Sequence, residues 1–188
     1  MKNNTRGSSW SRARALAAGG FAAVMLAGGS PALATGGKVF VSGNSTYSDC
    51  GIEGSDLALA LTGDLVGCWS VFVEGFKCKE LNGFDLYYER GREVFVGKLR
   101  GKQGRFATDY TLEAAMEKGF CQSYDFTKEV AGGCLHKIHG RSGVFTGAKG
   151  LITFLDVITG VTGDPVTGAF QATGGPNNFV YYGDINFI

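Results

Sequence analysis

His139 to Asp156 reads HGRSGVFTGAKGLITFLD, and this stretch decides the fold. Gly140, Gly143, Gly147 and Gly150 punctuate it, and Leu151 to Leu155 then runs apolar around Thr153. Glycines at that density mark a backbone that turns with positive φ or lies against another backbone. The β-rich run behind them reads as the strand that the turn launches. The expectation is a β-sheet rolled up so that this corner closes it.

Outward from the corner, the same pattern repeats. Phe84 to Arg90 and Glu93 to Arg100 both alternate, separated by Gly91-Arg92, which reads as a type II′ hairpin loop. That loop sets Arg90 opposite Glu93, Tyr88 opposite Phe95, Leu86 opposite Gly97 and Phe84 opposite Leu99, with Asp85 meeting Lys98 on the wet face. A second loop, Gly101 to Gly104, then places Leu99 opposite Phe106 and Phe95 opposite Tyr110. Phe106, Thr108, Tyr110 and Leu112 fall inside, while Arg105, Ala107, Asp109, Thr111 and Glu113 fall outside. Tyr88, Phe95 and Tyr110 form a ladder across the inner face.

Leu57, Leu59 and Leu61 alternate with small residues, as Trp69, Val71 and Val73 do with Cys68, Ser70 and Phe72. Phe179, Tyr181, Ile185 and Phe187 share a face against Tyr182, Asp184 and Asn186. Leu112 to Lys118 could form one helical turn, but no stretch sustains a helical period. With 31 glycines and about nine short strands, the chain reads as all-β. A strand that runs to Ile188 suggests a barrel closed by its last strand, which removes the sheet edges.

At the start, Lys2, Arg6, Arg12 and Arg14 precede an apolar run from Ala15 to Ala27 and an Ala32-Leu33-Ala34 end. This is the pattern of a secretory signal peptide cut after Ala34. The run spans about 13 residues where a membrane-spanning helix needs ~20. The chain thus divides into a signal peptide (1–34), an N-terminal segment (35–56) and a barrel domain (57–188). A secreted, extracytoplasmic protein with no membrane span after cleavage is expected. Four of the 18 basic residues and none of the 17 acids lie in the signal, so 14 basic residues face 17 acids in the remainder, a net charge of −3. That balance gives no footprint for nucleic acid. Lys98, Arg100, Lys102 and Arg105 cluster as a solvated hairpin end.

All five cysteines follow the signal, in a compartment that favours disulfides. The expected pairs are Cys68–Cys78 and Cys121–Cys134, each closing a short loop, with Cys50 left over. A zinc site from Cys121, Cys134, His136 and His139 matches no standard ligand spacing, so no metal and no cofactor is expected.

Ser142 to Gly150 (SGVFTGAKG), followed by a strand and a late YYGDI, resembles the glycine corner of the allene oxide cyclase and dirigent barrels. LTGDLVGCW, EVFVGKLRG and GCLHKIHGRSG resemble the secreted bacterial branch described as allene oxide cyclase barrel-like. The resemblance covers roughly Leu57 to Ile188. It implies an eight-stranded, calycin-like barrel with an apolar lumen. The plant cyclases of this group isomerise an unstable lipid epoxide, dirigent proteins steer radical coupling, and some bacterial relatives fold polyketides into rings. The plant cyclases' catalytic residues find no place on this chain, so their activity does not carry over.

The search for chemistry leaves little. Ser142 lacks the last glycine of a nucleophile elbow, and the Gly-Lys pairs lack the rest of a phosphate loop. His136 and His139 are three apart, so a regular strand turns them to opposite faces. Asp156, Asp164 and Asp184 have no calcium-ligand loop around them. What survives is the barrel mouth, with Arg90 and Glu93 above the hydroxyls of Tyr88 and Tyr110. Tyr88, Phe95, Tyr110, Arg90 and Glu93 are therefore the expected ligand-binding residues for an apolar small molecule. In the alternative, a cyclase or isomerase, Glu93 or Tyr110 moves a proton. A packed lumen without ligand is the third reading, and a homo-oligomer is compatible with all three.

Overall fold

The computed structural model describes residues 36–123, 125–164, 166–167, 169–172, 176 and 178–188, so the expected signal peptide lies outside the described residues. Eight antiparallel strands close a barrel. The first seven are β1 (Gly37–Tyr47), β2 (Leu57–Gly63), β3 (Leu65–Glu80), β4 (Phe84–Leu99), β5 (Lys102–Glu117), β6 (Glu129–Gly143) and β7 (Lys149–Val157). A small ribbon, β8 (Thr162–Gly163) with β9 (Phe170–Gln171), interrupts the meander before β10 (Asn178–Phe187). Each stave pairs with its neighbour in sequence, and β10 pairs with both β7 and β1 to seal the ring. The all-β barrel of eight strands, closed by its last strand, is as expected.

The closing seam differs from expectation. The glycine corner joins β6 to β7, while closure falls to β10 and β1. β1 lies in the segment set apart from the barrel domain, so the barrel begins before residue 57. The corner instead plugs one end. Phe145 is fully buried there, 4.9 Å from the Phe106 ring and 5.9 Å from that of Phe95. Trp69 extends this cluster towards the middle, touching Phe106 at 5.3 Å and Phe154 at 4.9 Å. Tyr181 reaches across the lumen, where its hydroxyl accepts from the Leu65 amide at 2.9 Å and donates to the Thr62 carbonyl at 3.0 Å. Gly43 makes room for that ring, since a Cβ there would strike the phenol oxygen, and a Cβ on Gly63 would strike the Ser42 carbonyl of the neighbouring strand.

No hairpin forms at Gly91-Arg92. β4 runs unbroken from Phe84 to Leu99, and Gly91 is a site of close approach, with Tyr110 and the Phe72 carbonyl where its Cβ would be. The β4–β5 turn is Arg100-Gly101, both with positive φ (49° and 80°), as a type I′ turn demands. Leu99 therefore faces Lys102, and Phe95 faces Phe106 rather than Tyr110. An unbroken strand also keeps its parity, with Glu93 and Phe95 inward. Tyr88 and Arg90 consequently point outward, Tyr88 beneath the Lys77 ammonium at 5.5 Å. Both are removed from the lumen site. Leu112 to Glu117 is the end of β5, not a helical turn.

The disulfides are Cys50–Cys68 and Cys78–Cys121, and Cys134 is a free thiol. Both expected pairs are corrected. Cys68 and Cys78 lie ten residues apart on one extended strand, about 33 Å at ~3.3 Å per residue, far beyond a disulfide's reach. Cys121 sits outside β6 against the Leu86 carbonyl, while Cys134 lies on a strand face turned to the lumen.

Candidate functional site

The turns before β3, β5 and β7 gather at the plugged end. The longer connections 48–56, 118–128 and 158–177 gather at the other. Near that second end the lumen opens into a cavity of about 60 Å³. Its apolar wall includes Leu57, Leu59, Val71, Leu112, Phe154 and Phe179. Tyr47 and Phe126 stand edge-to-face at its rim, with centroids 6.0 Å apart. The remaining lining is ionisable: Glu89, Glu93, Tyr110, Cys134, His136 and Asp156.

Strand parity alone explains this collection. Glu89 and Glu93 share the inner face of β4 with Phe95, as do Cys134 and His136 on β6 with Ile138. His136 and His139 do fall on opposite faces. His139 stands outside, its Nε2 2.8 Å from Asp109. His136 is buried against Trp69 and Phe154, at centroid distances of 5.2 and 4.5 Å.

Three arrangements matter chemically. First, Glu93 is 3% exposed, and its Oε2 accepts from Thr108 at 2.5 Å and meets His136 Nδ1 at 2.6 Å. With Thr108 donating to that oxygen, the carboxylate acts as acceptor and the ring hydrogen belongs on Nδ1. Nε2 has no hydrogen-bond partner among the described residues and, in neutral imidazole, keeps its lone pair. Second, Glu89 accepts from Tyr110 and Tyr87 at 2.6 Å each. Burial first, and then that carboxylate, push both phenols well above their usual range, so they serve as donors. Third, Glu129 and Asp156 meet where a Cβ on Gly132 would otherwise sit. Burial first, and then Asp156, push Glu129 far above the usual carboxylate range. Burial also raises Asp156, offset in part by its hydrogen bond from Glu129. The pair thus retains a proton near neutrality, drawn there by burial.

Of the residues expected at the site, Glu93, Phe95 and Tyr110 are internal. Phe95 belongs to the packed half, 4.9 Å from Phe106. Glu93 and Tyr110 line the cavity, though Glu93 lies deep in the lumen and not beside a turn. Glu89, Glu129, His136 and Asp156 were missed as a group. Only Glu89 had a signal, the spacing of four from Glu93 along β4, legible once β4 is read as one strand. Cys134, expected in a disulfide, lines the cavity instead; burial and then Asp156 push its thiol up, so it stays protonated. Of the aspartates weighed for calcium, Asp164 caps the ribbon by accepting from Val166 and Thr167, and Asp184 pairs with Lys38 at 2.9 Å. Among the described residues no group of three His, Cys, Asp or Glu could hold a metal, and no helix is long and apolar enough to cross a membrane. No protein-family model matches this chain, and it matches neither a curated protein nor a solved structure.

Proposed function

We propose that the open half of the barrel is an acid–base site that takes the head of a small, largely apolar molecule and moves a proton on it, as a cyclase or isomerase does without a cofactor. One observation carries this reading. Three carboxyl groups, Glu89, Glu93 and Asp156, and a histidine line the lumen cavity, with Glu129 against Asp156, while the other half is filled by aromatic and aliphatic side chains. Burying an ionisable group is unfavourable by several kcal/mol, and apolar residues of equal volume would serve a core better. Such clusters are retained where their chemistry is used. His136 Nε2, oriented through Nδ1 by Glu93, is the base. The proton held by the Glu129–Asp156 pair reaches the cavity through Asp156, which lines it, so this pair is the acid, and the phenol of Tyr110 is a further donor. A cavity of about 60 Å³ admits only a few heavy atoms, so the rest of the substrate lies towards Tyr47 and Phe126.

A second reading, in which the same cavity only holds a ligand, is favoured by the small volume and by the aromatic rim. The resemblance to the allene oxide cyclase and dirigent barrels fits either. Export fits both as well, since two disulfides belong to an oxidising compartment.

The test is solvent extraction of protein purified from its own host, with mass spectrometry of what co-purifies, beside an assay in heavy water. A catalytic site exchanges deuterium into its extracted ligand, and His136→Gln abolishes exchange while ligand is still retained. Retention without exchange in the wild type supports the holder. An empty extract from both proteins counts against either role.

A further inference from the structure

A second concavity, of about 520 Å³, lies on the outer wall of the barrel over β3 to β6. Its making is local. The 48–56 connection folds back along β3, pinned by Cys50–Cys68 and by the Ile52 amide donating to Ser70 Oγ at 3.0 Å, and so raises one wall. On the far side a bulge in β6, opposite Arg105 and Phe106, leaves Arg141 without a partner in the β5 ladder, between Gly140 and Ser142. Val94 and Ala107 contribute an apolar floor, with Phe72 and Ile52 beside them.

The charges in this groove run against the acidic balance of the chain after residue 34. Arg92, Arg105, Arg141 and His139 line it, with Glu93 and Asp109 as the lining carboxyl groups. Glu93 is turned inward to His136, so it does not neutralise the groove. Arg92 Nε is held by Glu74 at 2.5 Å, and His139 takes Asp109. Arg105 and Arg141 have no acidic partner among the described residues. Two guanidiniums brought to neighbouring strands by a bulge, above an apolar floor, form a site for a negative charge on a greasy body.

We propose that this groove binds an organic anion: one oxyanion group, a carboxylate, sulfate or sulfonate, carried on a flat apolar body. Arg105 and Arg141 grip the oxyanion and Ser142 is within the same wall, while Val94, Ala107 and Phe72 hold the body. The volume falls within the usual range of small-molecule sites, roughly 300–1,000 Å³. The recess between two raised walls suits a small molecule rather than a flat membrane. The site is independent of the lumen and of the function proposed for it.

The probe is anilinonaphthalene sulfonate, titrated by fluorescence at low salt, with uncharged anilinonaphthalene as its counterpart. Wild type binds the sulfonate, and inorganic sulfate competes. Arg105→Gln with Arg141→Gln weakens the sulfonate by about tenfold or more, because two charge-assisted contacts are lost. Both side chains are exposed, so the variant keeps its fold, which an unchanged circular-dichroism spectrum and melting temperature verify. No binding to wild type, unchanged affinity in the double variant, or equal affinity for the uncharged dye overturns the proposal.

Discussion

Replacing Glu129 with glutamine isolates the shared proton. In the folded protein Glu129 sits fully buried beside Asp156, its pKa driven from 4.5 to about 10. The unfolded chain releases that proton near the ordinary carboxylate value of about 4.3. A carboxyl whose folded pKa is raised stabilises fully below the unfolded value, and loses that contribution as pH climbs towards the folded one. With one extra proton held by the folded state, stability falls by ~1.4 kcal/mol per pH unit, or about 4 kcal/mol between about pH 5 and pH 8. Glutamine cannot ionise, and its amide still donates to Asp156, so the variant lacks this slope. Titrating groups outside the Glu129–Asp156 pair are common to both proteins and cancel in the difference. Urea unfolding of wild type and Glu129→Gln, at several pH values with disulfides intact, should therefore show a gap that closes or reverses in the variant's favour as pH rises. That change is large against a typical total stability of roughly 5–15 kcal/mol. A difference that stays constant over the range refutes the shared proton and with it the acid of the proposed site.

Non-reducing peptide mapping should join Cys50 to Cys68 and Cys78 to Cys121, with one thiol at Cys134; a Cys68–Cys78 peptide contradicts the topology of β3. Removing Cys78–Cys121, which spans 43 residues, should be worth about 4 kcal/mol on the chain-entropy model, against about 3 for the 18-residue Cys50–Cys68 loop. Tyr88→Ala, on the outer wall, should change stability by no more than about 1 kcal/mol, whereas Trp69→Ala should lose about 3–5. Comparable losses measured by urea unfolding would return Tyr88 to the core.

The division between what could and could not be read follows from parity. Where a strand's start was evident, as at Phe106 to Leu112 or Phe179 to Ile185, alternation alone sorted inside from outside correctly. Gly91 broke the reading of β4 because a glycine between two alternating runs looks the same whether it turns the chain or admits a neighbour's ring. Tyr110 occupies the space a side chain would take, and that fact is tertiary. A false turn then shifted parity for everything before it, so Tyr88 and Arg90 were placed inside and Asp85, which is buried, on the wet face. The disulfides failed for the same reason, since two cysteines ten apart look like a short loop until the strand between them is known to be straight. The Glu129–Asp156 pair could not be found from spacing at all. Its partners lie on adjacent strands, and a bulge at Val130, opposite Ala115 and Met116, changes the register just after Glu129.

The placement of the covalent cross-links follows from the two halves of the lumen. Phe145, Phe106, Phe95 and Trp69 interlock at the plugged end, and the connections there are short turns. The open end has ionisable groups where a core would have rings, and long loops around them. Apolar burial contributes roughly 25 cal/mol per Å², and that term is smallest at the open end. Both disulfides act on those loops. Cys50 ties the 48–56 connection to β3, and Cys121 ties the 118–128 connection, which carries Phe126 at the cavity rim, to the same strand. A cross-link that constrains the unfolded chain stabilises without occupying lumen volume. Two of the three loops at this end are thus cross-linked by sulfur, which leaves the space between them free for a ligand, while the third is held by Phe170 against Phe84.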